Sequence, residues 1–351
     1  MSSTGGPVRR LRHIRVREKP SLPWGRPSRH SQVGTLHHVH ATSTVHATDS
    51  EPATVSASPP AVSDSKTFAR AFTDLRDGFN NRELWLHLGW QDIKQRYRRS
   101  VIGPFWLTLS MGITALGLGL LYSQLLDSPI KTFLPYITVG FIVWNFISGC
   151  VIEGAETFIS NEGLIKHLPA PISVYVFRTV WRQTLMFAHN MIIYVIVLVV
   201  FWGGISKSGY VITQNGIQQP GLGWSALLAI PGFILLAINA GWVTLLFGII
   251  STRFRDIPQV IASLINLAFF MTPIVWSTDI LEKKFQNAAS WRGYIAELNP
   301  LYHFVQIVRA PLIGAQSSWH HWAISGGIAV VGWLLALVVM RNYRSRVSYW
   351  V

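Results

Sequence analysis

The stretch QDIKQRYRRSVIGPFWLTL, residues 91–109, places a dense run of basic side chains directly before an apolar segment. The basic residues are Lys94, Arg96, Arg98 and Arg99. After them the charge disappears, and Gly103-Pro104 opens the apolar segment. Cations collect on the cytoplasmic side of membrane segments, and proline suits the first turn of a helix. The stretch therefore predicts a cytoplasmic helix that turns at Gly103 into a first membrane span.

The composition is that of a membrane protein rather than a soluble domain. The chain has 351 residues, of which 50% are hydrophobic and only 13% are charged, and its mean hydropathy is +0.32. Soluble domains carry about 25% charged residues. The formal net charge of +14 does not indicate nucleic-acid binding, because the cations lie in the N-terminal region and beside apolar segments. The single cysteine, Cys150, excludes an intramolecular disulfide.

Residues 1–65 form a separate compositional region, rich in Ser, Thr, Pro, His and Arg. A segment with so few apolar residues cannot offset the entropy of ordering, so we predict a disordered basic cytoplasmic tail. Its arginines favour contact with the anionic headgroups of membrane lipids. The HHVH run at 37–40 offers imidazoles, but no second ligand group at metal-site spacing accompanies it. No metal site is predicted.

Residues 66–100 are predicted to form one amphipathic helix that lies in the membrane interface. Leu86, Trp90, Ile93 and Tyr97 recur at helical spacing and share one face. Charged residues occupy most of the remaining surface, which is the pattern of an interfacial helix.

Residues 101–351 contain six apolar segments, each close to the roughly 20 residues that cross a bilayer. They run over 101–121, 133–152, 184–202, 224–250, 257–276 and 322–340. Cations cluster before span 1, between spans 2 and 3, between spans 4 and 5, and after span 6, which places both termini in the cytoplasm. The sequence predicts an all-α integral membrane protein with six transmembrane helices per subunit.

Two connections between the spans are too long to be simple turns. The inner connection, 153–182, mixes charged, apolar and proline residues in a helix-break-helix pattern. The outer connection, 277–321, contains an apolar piece over 301–312 that is too short to cross a bilayer. We predict that this piece forms a re-entrant or interfacial helix at the outer side.

The motifs of nucleotide hydrolysis and of zinc hydrolases, G-x-x-x-x-G-K-[ST] and H-E-x-x-H, do not occur in the sequence. No catalytic residue is predicted, and the energy for any transport is expected to come from a partner. The DLRD run, Asp74 to Asp77, leaves open a membrane enzyme that acts on polyprenyl-linked sugars with Mg²⁺, or merely a solvated helix face. Polar residues inside the spans, such as Asn190 and Asn239, suit either a transport path or hydrogen bonds between helices.

Four motifs resemble those of ABC-2 type polysaccharide export permeases, in the same order over about residues 70–350. The R-Y-[KR]-x-S-x-x-G-x-x-W pattern reads Arg96, Tyr97, Arg98, Ser100, Gly103 and Trp106. The inner connection matches at Asn161, Leu164, Ile165, Lys166, Pro169 and Pro171. The [YF]-R-D junction and the T-P-I segment read Phe254, Arg255, Asp256, Thr272, Pro273 and Ile274. The outer hairpin matches at Asn299, Pro300, Arg309 and Gly314.

The sequence also departs from the family pattern. Ser110-Met111 stands where many members have Asn-Pro, and His167 stands where many have a second lysine. In these details the chain resembles the exporters of O-antigen and of mycobacterial galactan.

The resemblance implies a transport subunit, not an enzyme, that forms a homodimer in a bacterial inner (plasma) membrane. Two copies of a separate ATPase would join this homodimer and would bind ATP and Mg²⁺, so this chain itself would bind no cofactor. Its substrate would be a polysaccharide on an undecaprenyl-type lipid, and a lipid or drug exporter of the same superfamily is the alternative. The ATPase would dock on a coupling loop of Glu156, Asn161, Glu162, Leu164, Ile165, Lys166 and His167. An inner junction would consist of Arg253, Arg255 and Asp256.

The chemistry of a lipid-linked sugar polymer suggests two further sets of residues. The pyrophosphate needs cations near the inner interface: first Arg96, Arg98 and Arg99, then Arg178 and Arg182. Sugar rings stack on aromatic walls, for which the candidates are Trp144, Phe146, Phe269, Phe270 and Tyr302. Each set has a simpler alternative, the positive-inside signal for the cations and ordinary helix packing for the rings.

Overall fold

A computed structural model describes residues 67–98, 103, 105–126, 128–168, 170–207, 221–276 and 296–351 of the protein. All of these belong to the second of two units into which the chain divides, Val62–Val351. The predicted tail over 1–65, Arg99 and most of the outer connection lie outside the described residues.

The segment predicted as one interface helix forms two helices, α1 (Phe68–Asn80) and α2 (Arg82–Arg96). The prediction of a single helix over 66–100 is wrong because Asn81 interrupts it, with φ −77° and ψ 36°. The Nδ2 of Asn81 donates to the Asp77 carbonyl at 2.7 Å. Such local side-chain bonds are how asparagine competes with helical pairing.

Both helices pack on α6 (Ser173–Ile205). Gly89 of α2 faces the ring of Trp181 so closely that a Cβ on Gly89 would lie 2.7 Å from it. Of the predicted apolar face of α2, Ile93 is buried, whereas Trp90 remains exposed. One side of α2 therefore packs against α6. Only the opposite side is available to lie in the membrane interface, as the sequence predicts.

Five helical segments among the described residues are long and apolar enough to cross a membrane. They are α3 (Phe105–Leu125), α4 (Ile130–Ala155), α6, a 3₁₀ turn (Trp224–Leu228) continued by α7 (Ala229–Arg253), and α10 (Trp319–Trp350). They cover the predicted spans 1 to 4 and span 6. The largest shift is in α6, which begins at Ser173 instead of 184, because charged residues end a hydropathy window without ending a helix.

The predicted fifth span, 257–276, is a shorter helix, α8 (Ile257–Met271). Its 15 residues rise about 22 Å, less than the roughly 30 Å of a hydrocarbon core. The residue before a proline is driven out of the helical region, and Thr272, which precedes Pro273, has φ −90° and ψ 134°. The described residues therefore give five spanning helices and do not confirm the sixth.

The buried helix α4 forms the centre of the fold and contacts α3, α6, α7 and α8. On its α7 side, Thr244 Oγ1 donates to the carbonyl of Cys150 at 3.2 Å. Gly154, one turn further, lies so close that a Cβ there would be 2.9 Å from Thr244 Oγ1. Small residues let membrane helices approach in this way. Cys150 is 1% exposed within this contact.

Glycine–tryptophan pairs hold α7 against α10. Gly241 of α7 faces the ring of Trp333, and Gly332 of α10 faces the ring of Trp242. Beside them, Asn239 Nδ2 donates to a carbonyl of α10 at 3.3 Å, and Asn239 Oδ1 accepts from Trp242 Nε1 at 3.0 Å. Asn239 thus joins helices, which is the structural role among its two predicted alternatives.

The apolar piece predicted over 301–312 forms α9 (Pro300–Leu312), which is buried against α4, α7 and α10. Asn299 caps the helix, since its Oδ1 accepts from the backbone N–H of Leu301 at 3.0 Å. Gly314 then turns the chain with φ 69°, a conformation that favours glycine. The helix is confirmed, and its re-entrant placement stays a prediction.

Candidate functional site

Carboxylates of α2 and α4 meet arginines of α6 at the end of the helices that the sequence predicts to be cytoplasmic. Arg178 binds Asp92 through two bonds, Nε to Oδ2 at 2.9 Å and Nη2 to Oδ1 at 2.6 Å. Arg182 joins two acids, with Nη1 2.9 Å from Asp92 Oδ2 and Nη2 2.6 Å from Glu153 Oε2. Arg96 Nη2 lies 3.3 Å from Glu153 Oε1. We call these five residues the inner ion cluster.

Helical spacing builds the inner ion cluster. Arg178 and Arg182 are four residues apart on α6 and project from one face, and Asp92 and Arg96 do the same on α2. The side chains are largely shielded, with exposed fractions of 12% for Arg178, 16% for Arg182 and 17% for Asp92. Two-pronged arginine–carboxylate bonds are among the strong hydrogen bonds of proteins. The cluster therefore ties α2, α4 and α6 together.

The surroundings of Asp92 favour its charged form. Burial alone would raise the pKa of Asp92, but the hydrogen bonds and charges of Arg178 and Arg182 outweigh it and hold that pKa below the ordinary value of 3.8. Three arginines and two carboxylates leave the cluster with one formal positive charge in excess. The excess lies at its edge, where the Arg96 side chain is 47% exposed.

The cations predicted for a pyrophosphate fall into two groups. Arg178 and Arg182 bind carboxylates of the chain itself, and their role as second candidates for the headgroup stays a prediction. Arg96 and Arg98 are exposed, and no ion pair joins Arg98 to a described residue. A headgroup role stays a prediction for Arg96 and Arg98, and Arg99 lies outside the described residues.

The predicted coupling loop contains a short helix, α5 (Glu162–His167). Its exposed residues are Glu156, Leu164, Lys166 and His167, and its partly buried ones are Asn161, Glu162 and Ile165. Lys166 Nζ lies 2.6 Å from Glu162 Oε1, one turn away, and the two side chains are 46% and 45% exposed. At the N-terminal end of α5, Asn161 Oδ1 accepts a hydrogen bond from Arg178 Nη1 at 2.7 Å. This bond connects the start of α5 to the inner ion cluster.

A cavity of about 340 Å³ lies among α3, α4 and α6. Its polar lining consists of Ser110, Thr114, Asn145, Gln183 and Asn190, and its apolar lining includes Met111, Phe146 and Phe187. Gln183 Nε2 also donates to Glu153 Oε2 at 2.6 Å, so the cavity adjoins the inner ion cluster. The buried Oδ1 of Asn190 has no hydrogen-bond partner among the described residues. Apolar walls with a few polar groups are typical of ligand sites.

The predicted channel aromatics differ in exposure. Trp144, Phe146 and Tyr302 are buried in the subunit, which agrees with the simpler interpretation of helix packing. Phe269 of α8 packs on Trp144, with ring centroids 5.7 Å apart. Phe270 is 67% exposed. Phe270, whose ring packs edge-on against Phe269 at 5.2 Å, is the exposed ring of this set, and Phe146 lines the cavity.

Two of the sequence motifs meet at Arg309 of α9, whose side chain is fully buried. Arg309 Nη1 donates to the Pro273 carbonyl at 2.7 Å. The guanidinium carbon lies 4.0 Å from the centre of the Tyr136 ring, within cation–π distance. Nearby, Asn299 Nδ2 donates to Thr272 Oγ1 at 2.9 Å. The T-P-I segment after α8 and the outer helix α9 are held as one unit.

The model of the ABC-2 type transporter family matches residues 83–313, which include α2, the inner ion cluster, the cavity and α9. The chain belongs to the ABC-2 type transporter family. Two relatives from Klebsiella pneumoniae are each named O-antigen export system permease protein RfbA. One is 25% identical over 215 residues, 60% of this chain and 73% of the relative, and the other is 22% identical over 248 residues, 71% and 86%. A protein of the same name from Myxococcus xanthus is 24% identical over 228 residues, 65% and 79%.

The predicted inner junction of this ABC-2 type transporter lies between α7 and α8. Arg253, Arg255 and Asp256 are exposed there. The Arg253 guanidinium lies 5.6 Å from the centre of the Trp350 ring, and Arg255 Nη2 donates to the Trp350 carbonyl at 3.3 Å. The junction therefore contacts the end of α10.

The DLRD run of the transporter does not present a pair of free carboxylates. Asp74 is buried, and its Oδ1 accepts from Ser173 Oγ at 2.8 Å while its Oδ2 lies 3.2 Å from Arg344 Nη1. Asp77 is exposed. Because both oxygens of Asp74 serve the packing of α1 against α6 and α10, this run does not favour the polyprenyl-enzyme alternative.

Sequence reasoning missed the acidic half of the inner ion cluster. Asp92 and Glu153 lie on different helices, and neither belongs to a motif. The signal that points to them is their rarity, since acids are outnumbered 16 to 30 by lysines and arginines. An isolated acid beside an apolar segment, within such a basic chain, indicates a structural partner for an arginine.

Proposed function

We propose that this transporter is the permease subunit of an ATP-driven exporter of a lipid-linked polysaccharide. The cargo is an O-antigen or a cell-wall galactan on an undecaprenyl-type lipid, and it moves from the cytoplasmic to the outer side of the inner membrane. The observation that carries the proposal is the similarity to O-antigen export permeases over most of their length.

The chemistry of the site supports a cargo with an anionic head and polar sugars. The excess positive charge at Arg96, together with the exposed Arg98, suits the pyrophosphate group. The amide and hydroxyl groups of the cavity, such as Asn145 and Ser110, suit sugar hydroxyls. An export path without fixed catalytic groups allows successive sugar units to pass.

The exposed helix faces support a homodimer. Leu109, Ile113, Leu116 and Leu120 form an exposed apolar stripe on α3. Val260, Leu264, Leu267 and Met271 form another on α8. We propose that a second copy of the subunit covers part of these stripes, with the cargo passing between the two copies and lipid covering the rest.

Energy is proposed to come from two copies of a separate ATPase that dock on α5. The exposed surface of α5 is available for docking, and the bond from Asn161 to Arg178 links α5 to the long helix α6. A movement of the ATPase would thus act on a helix that crosses the membrane.

Depletion of the chain in the native host tests the proposal. We expect polymer linked to polyprenyl pyrophosphate to accumulate inside the cell while surface polymer falls, and an ATPase subunit to co-purify with the tagged permease. Wild-type surface polymer after depletion would contradict polysaccharide export. Normal polymer with altered membrane lipids or drug sensitivity would favour the lipid or drug exporter instead.

A further inference from the structure

Glu297, His303, His320 and His321 bring their ligand atoms within 4.8 Å of one another. Glu297 lies just before α9, His303 is in the first turn of α9, and the two neighbouring histidines are in the first turn of α10. We propose that these four residues form a zinc site that fastens the start of α9 to the start of α10. The site does not depend on the proposed export function.

The ligand set selects the metal. Imidazole nitrogen and carboxylate oxygen suit Zn²⁺, which binds four such ligands tetrahedrally in structural sites. Mg²⁺ and Ca²⁺ prefer oxygen ligands throughout. A set of three histidines and one glutamate therefore favours zinc over the abundant hard cations, and its four protein ligands leave no open position for catalysis.

Two of the distances between ligand atoms are close to those of a metal-bound arrangement, and all of them lie within 4.8 Å. Zn–N bonds of 2.0–2.1 Å in a tetrahedron place ligand atoms about 3.3 Å apart. Glu297 Oε2 lies 3.3 Å from His320 Nε2. His303 Nδ1 and His321 Nδ1 face each other at 2.7 Å, so these two rings need to separate by only about 0.6 Å to admit the ion.

Two of the remaining ring nitrogens already have the partners that metal-bound histidines use. His303 Nε2 lies 2.7 Å from the backbone carbonyl oxygen of Glu297, and His320 Nδ1 lies 2.7 Å from Ser318 Oγ. Such bonds fix the tautomer and aim the opposite nitrogen at the metal. They leave His303 Nδ1 and His320 Nε2 as the coordinating atoms.

Burial gives a second, independent indication of a ligand. His303 is 1% exposed and His321 is 7% exposed. The Nε2 of His320 is shielded from solvent and makes no hydrogen bond to a described residue, although Glu297 Oε2 lies 3.3 Å away. A shielded ring nitrogen without a partner is costly, and a coordinated zinc ion would satisfy it.

The full-length permease in detergent provides the test. The protein is stripped with a chelator and desalted, then titrated with Zn²⁺ or Mg²⁺, and its zinc content and melting temperature are measured. We expect one zinc per chain, a higher melting temperature with Zn²⁺ and no effect of Mg²⁺. Co²⁺ in place of Zn²⁺ should give the visible absorption bands of a tetrahedral nitrogen–oxygen site.

Variants locate the metal. Glu297→Gln and His320→Ala change the two less buried ligands and should weaken zinc binding at least about tenfold, with loss of the zinc-dependent melting shift. His87→Ala, an exposed histidine of α2, is the matched control and should retain both zinc binding and the melting shift.

Zinc content and melting shift unchanged in both ligand variants would overturn the proposal. So would the absence of bound zinc in the wild type, which would leave a hydrogen-bonded histidine group. If His320→Ala does not fold, the result for Glu297→Gln, which changes an exposed side chain, decides whether the zinc site exists.

Discussion

Arg309 Nη1 lies 2.7 Å from the carbonyl oxygen of Pro273, so the segment that ends α8 is hydrogen-bonded to the interior of α9. The remaining guanidinium nitrogens lie 3.3 and 3.4 Å from Gln306 Oε1. No carboxylate among the described residues pairs with this buried cation. Its charge is instead shared among a carbonyl, an amide and the Tyr136 ring, which makes the contact sensitive to substitution.

Replacing Arg309 by methionine should destabilise the permease. Arg309→Met keeps a long apolar chain but removes the 2.7 Å bond to the Pro273 carbonyl, which retains the longer bond from Tyr136 Oη at 3.2 Å. The expected loss is about 1–3 kcal/mol in the free energy of unfolding. Thermal unfolding of the detergent-purified protein measures this loss. Arg98→Met, at an exposed arginine, is the control, and equal melting temperatures for the two variants would contradict the structural role of Arg309.

Asp92 should be the acid on which the inner ion cluster depends most, because both arginines that it binds are shielded, whereas one of the two that Glu153 binds, Arg96, is 47% exposed. Asp92→Asn leaves Arg178 and Arg182 partly buried with less negative charge nearby, and we expect a loss of about 1–3 kcal/mol. Glu83→Gln changes an exposed acid of the same helix and should shift the unfolding free energy by less than about 0.5 kcal/mol. Comparable losses in the two variants would show that the cluster does not stabilise the fold.

The contribution of Asp92 should depend on pH in a defined direction. Because the folded pKa of Asp92 is depressed below 3.8, the stabilisation is complete above the unfolded pKa and is lost as the pH falls through the folded one. The stability difference between wild type and Asp92→Asn should be constant above about pH 5 and shrink below about pH 4. A difference that persists unchanged into strong acid would contradict the ion-pair assignment.

Gly103, which has φ 63°, should tolerate no ordinary side chain without strain. Gly103→Ala has open space around its Cβ, so the expected cost of about 1–2 kcal/mol comes from the left-handed backbone alone. Gly117→Ala in α3 also meets open space, but it lies within a helix and should stabilise by about 0.5–1 kcal/mol. Opposite signs in thermal unfolding are the expected result, and equal signs would contradict the turn at Gly103.

Changes on the coupling loop should separate ATP hydrolysis from transport. If α5 docks the ATPase, Glu156→Gln and Glu162→Gln should lower export while the partner continues to hydrolyse ATP. ATPase rate and surface polymer are measured in the same membranes, with Glu83→Gln as control. Normal export in both loop variants would refute this docking site.

Local chemistry allowed most helix positions to be predicted, and it also explains the errors. Apolar runs located α3, α4, α7 and α10 because hydropathy depends on neighbouring residues only. Asn81 ends α1 within the predicted interface helix, because its side chain bonds to the backbone. Pro273 ends α8 within the predicted fifth span, because it restricts the residue before it. A hydropathy profile detects neither effect. The amphipathic pattern around Ile93 indicated a buried face without indicating that α6 covers it.

The candidate site was less accessible to prediction, because its contacts join distant parts of the chain. The sequence showed Arg178 and Arg182 as cations beside a span, but their pairing with Asp92 is a product of how α2 crosses α6. The same holds for Arg309, which the family motif singled out without naming Pro273 as its partner. Side-chain pairing across helices requires the fold.

The burial of Cys150 in the contact of α4 with α7 has a practical consequence. As the chain has no other cysteine, thiol reagents added to the folded permease meet no accessible native thiol. The wild-type sequence is therefore its own background for cysteine scanning. Single cysteines can be placed along α3, α5 and α8 and labelled from one side of the membrane at a time. The labelling pattern would show which positions water reaches from each side.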